Sequence, residues 1–406
     1  MVVAACFIIG TAIWGVRFSF GVFFKSIESE FILSRATTSS IFSTQLFLGG
    51  LFTIFGGWLL DRHGPRIVFL IMGLSAGLGL LLTGQTNTVW QLFITYSLLL
   101  AIGTSAVYVG IASTAVRWFD KRRGLALGLA SIGGGLGPMI TAPFVTYLIT
   151  NYDWRMAFTV MGLLIWLTVI PLSRLLKRDP YEIGVLPDGV KKPSSDTENK
   201  SNYVDADYLS LGQALRTRSF WLVVVISSFF ASSLLLVLTH LVPHTLDIGF
   251  SVVEAATVLS LTGGSAIIGR LLLGTASDKI GRRTAVIICT LLHAGAMVWL
   301  IWAKELWMLY LFALLFGLGW GGMGPTMAVL IGDTFGLGKM GTILGVMEFG
   351  FSTGAALGPI IGGLIFDITQ SYVLAFSLEA AAVLIATLLL TQVRRETKPL
   401  ELQAGT

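Results

Sequence analysis

Charge is scarce in this sequence. Only 12% of its 406 residues are Asp, Glu, Lys or Arg. A soluble domain carries roughly 25%, so most of this chain cannot face water. Cysteine is nearly absent: Cys6 and Cys289 are the two present. Both lie in apolar runs, where cysteine acts as a small hydrophobe, so no disulfide framework or metal array is indicated. No Ser/His/Asp triad, metal cluster or nucleotide loop is visible. An enzyme is therefore not expected, and neither is a cofactor. Net charge is +5, but the basic residues sit between apolar runs, which does not suggest a nucleic-acid partner.

What the chain has in abundance is apolar length. Hydrophobic residues make up 54% and mean hydropathy is +0.82. Many runs exceed the roughly 20 residues that span a bilayer as a helix, whereas a barrel would need short alternating segments. The fold class expected is an all-α membrane protein of twelve transmembrane helices. They lie at roughly 2–24, 38–60, 66–87, 89–115, 124–149, 154–176, 218–243, 253–275, 284–303, 306–332, 341–366 and 371–393. The first lacks a basic n-region and a small-residue cleavage site, so it reads as a retained span rather than a signal peptide.

Loop charge sets the expected orientation. With both termini cytoplasmic, 21 Lys and Arg fall in inside loops and the tail. Four fall outside: Lys25, Arg35, Arg155 and Lys304. The expectation is a monomer in the cell (inner) membrane, surrounded by lipid. The one long hydrophilic stretch, 177–217, reads as a cytoplasmic linker with a short surface helix near Leu209–Leu215. It separates a half at 1–176 from a half at 218–393, and a tail follows at 394–406.

The halves repeat. Gly57-Trp-Leu-Leu-Asp61-Arg62-His63-Gly64-Pro65-Arg66 matches Gly274-Thr-Ala-Ser-Asp278-Lys279-Ile280-Gly281-Arg282-Arg283 at an offset of 217. Gly124/Gly341 and Gly128/Gly345 keep the same offset. Shared spacing in matching positions of two sextets indicates parallel repeats about an axis along the membrane normal, hence two pseudo-symmetric six-helix halves. The paired loops, with Asp61, Arg62, Gly64, Arg66, Asp278, Lys279, Gly281 and Arg282, read as a gate latch on the inner side. Arg117, Lys121, Arg122 and Arg123 are candidate partners. Ordinary positive-inside topology explains the same charges.

These motifs carry a resemblance. The Gly-x-x-x-Asp-(Arg/Lys)-x-Gly-x-Arg loops make the chain similar to the major facilitator superfamily over its whole length. Arg117-Trp-Phe-Asp-Lys-Arg-Arg-Gly-Leu-Ala and Gly358-Pro-Ile-Ile-Gly-Gly-Leu-Ile-Phe-Asp367 resemble its branch of monocarboxylate transporters and oxalate/formate exchangers. The resemblance implies secondary transport of a small organic carboxylate, of lactate or pyruvate type, by alternating access with a proton. Exchange of organic anions is the alternative. A sensor on a transporter fold is a further rival, disfavoured by the short tail.

Several intramembrane polar residues bear on that function. Arg270, in span eight, lies about 12 Å along the helix from Asp278, deep in the hydrocarbon. An arginine there faces water or a partner, and its planar fork matches a carboxylate. It reads as the substrate anchor, against a structural ion pair. The resemblance supports the anchor, since the family carries an arginine here. The family's aspartate four residues earlier is Ala266 in this chain. Arg17 reads as a second carboxylate ligand or as an outward-snorkelling charge. Span four offers a small polar face of Ala101, Thr104, Ser105, Tyr108 and Ala112 by helical period, with Tyr108 and Ser105 as substrate contacts. Phe349 would limit the size of the site. Proton coupling needs a titratable group, because arginine keeps its proton. Glu348 and His240 are the candidates, a carboxyl out of water taking a proton more readily than one in water. Glu379 reads as peripheral.

Overall fold

The computed structural model describes residues 2–118, 131–177, 211–335 and 340–394. The linker residues 178–210, the tail from 395 and the basic cluster Lys121, Arg122 and Arg123 lie outside them. So do the side chains of Asp61, Asp278 and Arg117.

Four of the long helices open on a side-chain cap. Ser34, Asp153, Thr217 and Ser251 accept from the backbone N–H three residues on, which opens Arg35–His63, Trp154–Ser173, Arg218–Ile248 and Val252–Ile280. Each cap satisfies an amide that hydrocarbon would leave bare. Span one is Val2–Phe18 and Phe20–Glu30, broken at Ser19. Pro65–Thr83, Arg282–Trp302, Leu306–Phe335, Met340–Thr369 and Val373–Leu390 form spans three, nine, ten, eleven and twelve. Among the described residues, eleven helices are long and apolar enough to cross a membrane. Gly133–Asn151 occupies the fifth position and is less apolar because of its glycines, prolines and threonines. The short helix before span seven is Leu211–Ala214.

Span four is irregular. A π-helical stretch, Phe93–Leu99, interrupts it, and α-helix resumes as Leu100–Thr104 and then Val107–Trp118. Thr53 Oγ1 donates to the Ser105 carbonyl at 2.9 Å, entering the helix at its break. An inserted side chain of this kind bends a helix.

The repeat is visible in the packing. Span two packs on span eleven, and span five on span eight. These contacts exchange under the internal repeat. Small residues let the backbones close: Gly50 lies on Ser352, Gly363 on the Arg35 and Ala36 backbone, and Gly135 on the Gly263 carbonyl. Spans three with six, and nine with twelve, pack within their own halves. Exposed Ile71, Leu167, Leu272 and Leu388 give the bundle its apolar outer surface.

The two latch motifs also share backbone geometry. Gly64 and Gly281 have φ of 78° and 89°, and each ends one helix and begins the next. An L side chain is strained there, which explains the paired glycines. Gly64→Ala and Gly281→Ala are each expected to destabilise by about 1 kcal/mol or more, read as a lower melting temperature in detergent. Gly57→Ala, with open space at its Cβ position, should leave that temperature equal or higher.

Candidate substrate-binding site

A cavity of about 220 Å³ lies between the halves, lined from spans one, four, five, seven, eight, ten and eleven. It brings together Arg17, Tyr108, Arg270 and Glu348. These four are 331 residues apart at the extremes (348 − 17), and only tertiary packing makes them neighbours.

Arg270 reaches the cavity across a row of glycines. Its Nη1 donates to the Ser131 carbonyl in span five. A Cβ built on Gly134 would lie 2.7 Å from its Nη2. The Gly133–Gly135 run thus makes room for a guanidinium at the five–eight contact. Arg17 is placed by the break at Ser19, and its Nε is buried with no hydrogen-bond partner. Among the described residues, neither arginine meets a carboxylate within 4.0 Å. Arg17, Arg270 and an ionised Glu348 sum to one positive charge. A guanidinium has five N–H donors, so unused donors converge here on water-accessible space. That arrangement suits an anion with two oxygens.

Ala266 is fully buried where its carbonyl meets Gly321 of span ten. The acid that shares the cavity is Glu348, on span eleven. Phe349 sits elsewhere, against Phe47 with ring centroids 6.2 Å apart, at the two–eleven contact. Met347 and Phe351 line the cavity instead. Ser105 is not among the lining residues either; its Oγ donates to the Ile102 carbonyl at 3.1 Å. Thr104 faces span two, where its Oγ1 accepts from Gln45 Nε2 at 2.6 Å. The helix break after Thr104 spoils the expected polar face, and among the described residues of that face only Tyr108 lines the cavity. Glu379, expected at the periphery, is buried with its Oε1 accepting from Ser232 Oγ at 2.6 Å.

A family model described as Major Facilitator Superfamily matches residues 5–282 and 247–405. The chain belongs to the major facilitator superfamily. It is 27% identical over 386 residues to "Monocarboxylate transporter 13" of Rattus norvegicus, covering 95% of this chain and 86% of that protein. It is 27% identical over 394 residues to "Monocarboxylate transporter 11" of Homo sapiens, covering 95% and 80%. Among solved structures, it is similar to a bacterial homolog of the human lysosomal transporter Spinster in an inward-facing and occupied conformation. The TM-score is 0.74 at 15% identity, covering 97% of this chain and 96% of that one. At that identity the likeness is one of fold.

The transporter also carries a cluster that sequence reading missed. It lies at the end of the bundle holding loops 31–34, 249–251 and 370–372, called the far end below. Arg35, expected as a loop charge, is the first residue of span two and only 5% exposed. It forks onto Asp247 of span seven at 2.6 and 2.9 Å. Its Nε meets Glu28 at 3.3 Å and its Nη1 donates to Tyr372 Oη at 2.5 Å. Its guanidinium carbon lies 3.5 Å from the centre of the Phe366 ring. Asp367 accepts from the backbone N–H of Arg35 and Ala36 at 3.0 and 2.9 Å, an acid at a helix N-terminus. Every one of these groups except Glu28 crosses between the halves.

His240 belongs to this cluster and not to the cavity. Its Nε2 lies 2.9 Å from the Pro359 carbonyl, which can only accept, so Nε2 carries the proton. Nδ1 then accepts from Tyr372 Oη at 3.0 Å. The signal for the cluster was in the sequence as acids at matching span ends, Asp247 and Asp367, opposite Lys25 and Arg35.

At the other end lie the latch motifs, whose described residues include Arg62, Arg282 and Arg283. Arg62 lies over the Trp58 ring, 5.6 Å from its centroid. Arg282 Nη1 donates to Ser277 Oγ at 2.9 Å, and Arg283 Nε donates to the Leu390 carbonyl at 3.1 Å.

Asp247→Asn removes the bidentate charge pair of Arg35. The loss, about 1.5–3 kcal/mol for charge-assisted bonds, should shift the far end toward opening by about tenfold or more. Maleimide labelling of a cysteine at Ser39, in a background with Cys6 and Cys289 replaced, should accelerate accordingly in the Asn variant. Equal rates would show that the cluster does not hold the ends together.

Proposed function

We propose that this transporter carries organic monocarboxylates, lactate and pyruvate among the smallest, together with one proton. The cavity carries the reading: two arginines with no carboxylate partner among the described residues, a tyrosine and a glutamate share one space between the halves. Arg270 holds the substrate carboxylate through two parallel N–H bonds. Tyr108 donates its hydroxyl. Glu348 takes the proton in place of the family's absent acid at Ala266, and Arg17 sits close enough to respond to that charge.

Charge bookkeeping supports the coupling. Empty, with Glu348 ionised, the site carries one net positive charge. Loaded, with Glu348 protonated and one monoanion bound, two arginines and one anion again sum to one. The empty and loaded carriers therefore meet the same electrostatic cost on reorienting, which a bare anion would alter. The far end faces outside if the positive-inside rule holds for this chain. The Arg35 cluster then closes the outer side, and rocking of the halves exposes the site alternately.

Anion exchange is the second reading, favoured by the alanine at 266. Proteoliposomes separate the two. Labelled lactate or pyruvate uptake should rise with an inward proton gradient. Uptake that ignores the gradient and needs a trans anion would favour exchange. Arg270→Gln should weaken substrate binding about 100-fold, since losing one partner of a buried charge pair costs a few kcal/mol. Glu348→Gln mimics the protonated acid, so it should retain anion exchange and lose the response to the gradient. A gradient response that survives in Glu348→Gln would remove Glu348 from the coupling step. Gly134→Ala, which presses on the Arg270 guanidinium, should weaken binding while leaving the melting temperature within the error of the wild type.

A further inference from the structure

The cavity is divided chemically. Its polar groups come from spans one, four and eight, from Ser227 of span seven and from Glu348. Its remaining wall is apolar and belongs mostly to the C-terminal half: Phe230, Trp320, Met323, Met327 and Met347. Trp320 also closes on Phe18 of span one, edge to face, with centroids 5.5 Å apart. This wall adjoins the arginines and supplies few hydrogen-bonding groups of its own, the Ser227 hydroxyl and the Trp320 ring N–H.

Size and wall chemistry decide what such a space suits. Apolar cavities of about 150 Å³ take up benzene, roughly 25 Å³ for each of its six carbons. At that ratio the 220 Å³ here holds about nine non-hydrogen atoms. A three-carbon hydroxy acid has six, nearly all needed by the polar end. It would leave the aromatic and thioether wall facing water. Methionine sulfur packs well at ring edges and adapts its shape, and tryptophan and phenylalanine favour offset or edge contacts with a ring. A second carboxylate or an ammonium would find no charged partner on that wall, only the Ser227 hydroxyl and the Trp320 ring N–H.

We infer that the preferred substrate is an aryl monocarboxylate, with the carboxylate at Arg270 and a benzene-sized ring against Phe230, Trp320 and the three methionines. This rests on the carboxylate reading of the cavity and names its substrate class.

The test uses the purified, full-length protein with benzoate and lactate as the probes, by calorimetric titration in detergent and by competition for uptake in proteoliposomes. Benzoate is expected to bind at least tenfold more tightly than lactate. Ala328→Phe, which fills the wall from span ten, should reduce the benzoate-to-lactate preference at least tenfold. If that variant does not fold, Met327→Ala supplies the second measurement. By enlarging the wall, it should move the preference from benzoate toward phenylacetate. Equal or tighter binding of lactate by the wild type would overturn the inference, as would a preference that neither wall variant changes. The carboxylate reading fails differently: in that case Arg270→Gln would leave the binding of both acids unchanged.

Discussion

In hydrocarbon, a polar group that finds no partner in the protein finds none at all, and this chain is built around that constraint. Its backbone is helical across the membrane, and four of its long helices open on a side-chain cap. Its few intramembrane charges divide by how fully they are matched. Arg35 spends its guanidinium on Asp247, Glu28, Tyr372 and the Phe366 ring. Among the described residues, Arg270 has a single backbone carbonyl, and Arg17 Nε has no partner. The first arrangement ties two halves together. The second leaves donors available to something that comes and goes.

That division gives the molecule its working asymmetry. The far end is closed by a cluster to which both halves contribute. The cavity lies between the halves, with its cationic groups on spans one and eight and its apolar wall mostly on spans seven, ten and eleven. Close backbone approaches at Gly50, Gly135 and Gly363 let the interface spans meet without large side chains between them. Such contacts can part and reform with little repacking, which suits a bundle whose halves rock. The repeat makes the contrast plain. At the offset of 217, Arg270 corresponds to Thr53. Thr53 bonds to the Ser105 carbonyl and stitches span two to the break in span four. One copy of the position became structural, and the other carries a charge.

Reading the residues in order located much of this. The membrane class follows from apolar length and scarce charge, and the repeated latch motifs take one backbone shape at Gly64 and Gly281. Arg270, Arg17, Tyr108 and Glu348 stood out singly, because polar groups in apolar spans are conspicuous. Ser105 and Phe349 were misplaced. Ser105 is set on a face by helical period, which fails where a π-helical stretch and a break turn a helix; Phe349 follows from its neighbour Glu348, and neighbouring residues on one helix point to different partners. His240 was read as a lone titratable group, although its surroundings come from spans two, eleven and the loop before span twelve.

The sequence by itself determined the number and type of the elements, because burial in lipid is a local property of each apolar run. It determined the repeat, because duplicated backbone turns need duplicated glycines. Which polar groups meet was decided only by tertiary structure. Arg17 and Glu348, or Arg35 and Asp247, lie hundreds of residues apart, and no local rule links them. Whether a buried charge becomes a lock or a ligand depends on how many of its donors the neighbouring helices already occupy, a quantity that exists only once the helices are packed.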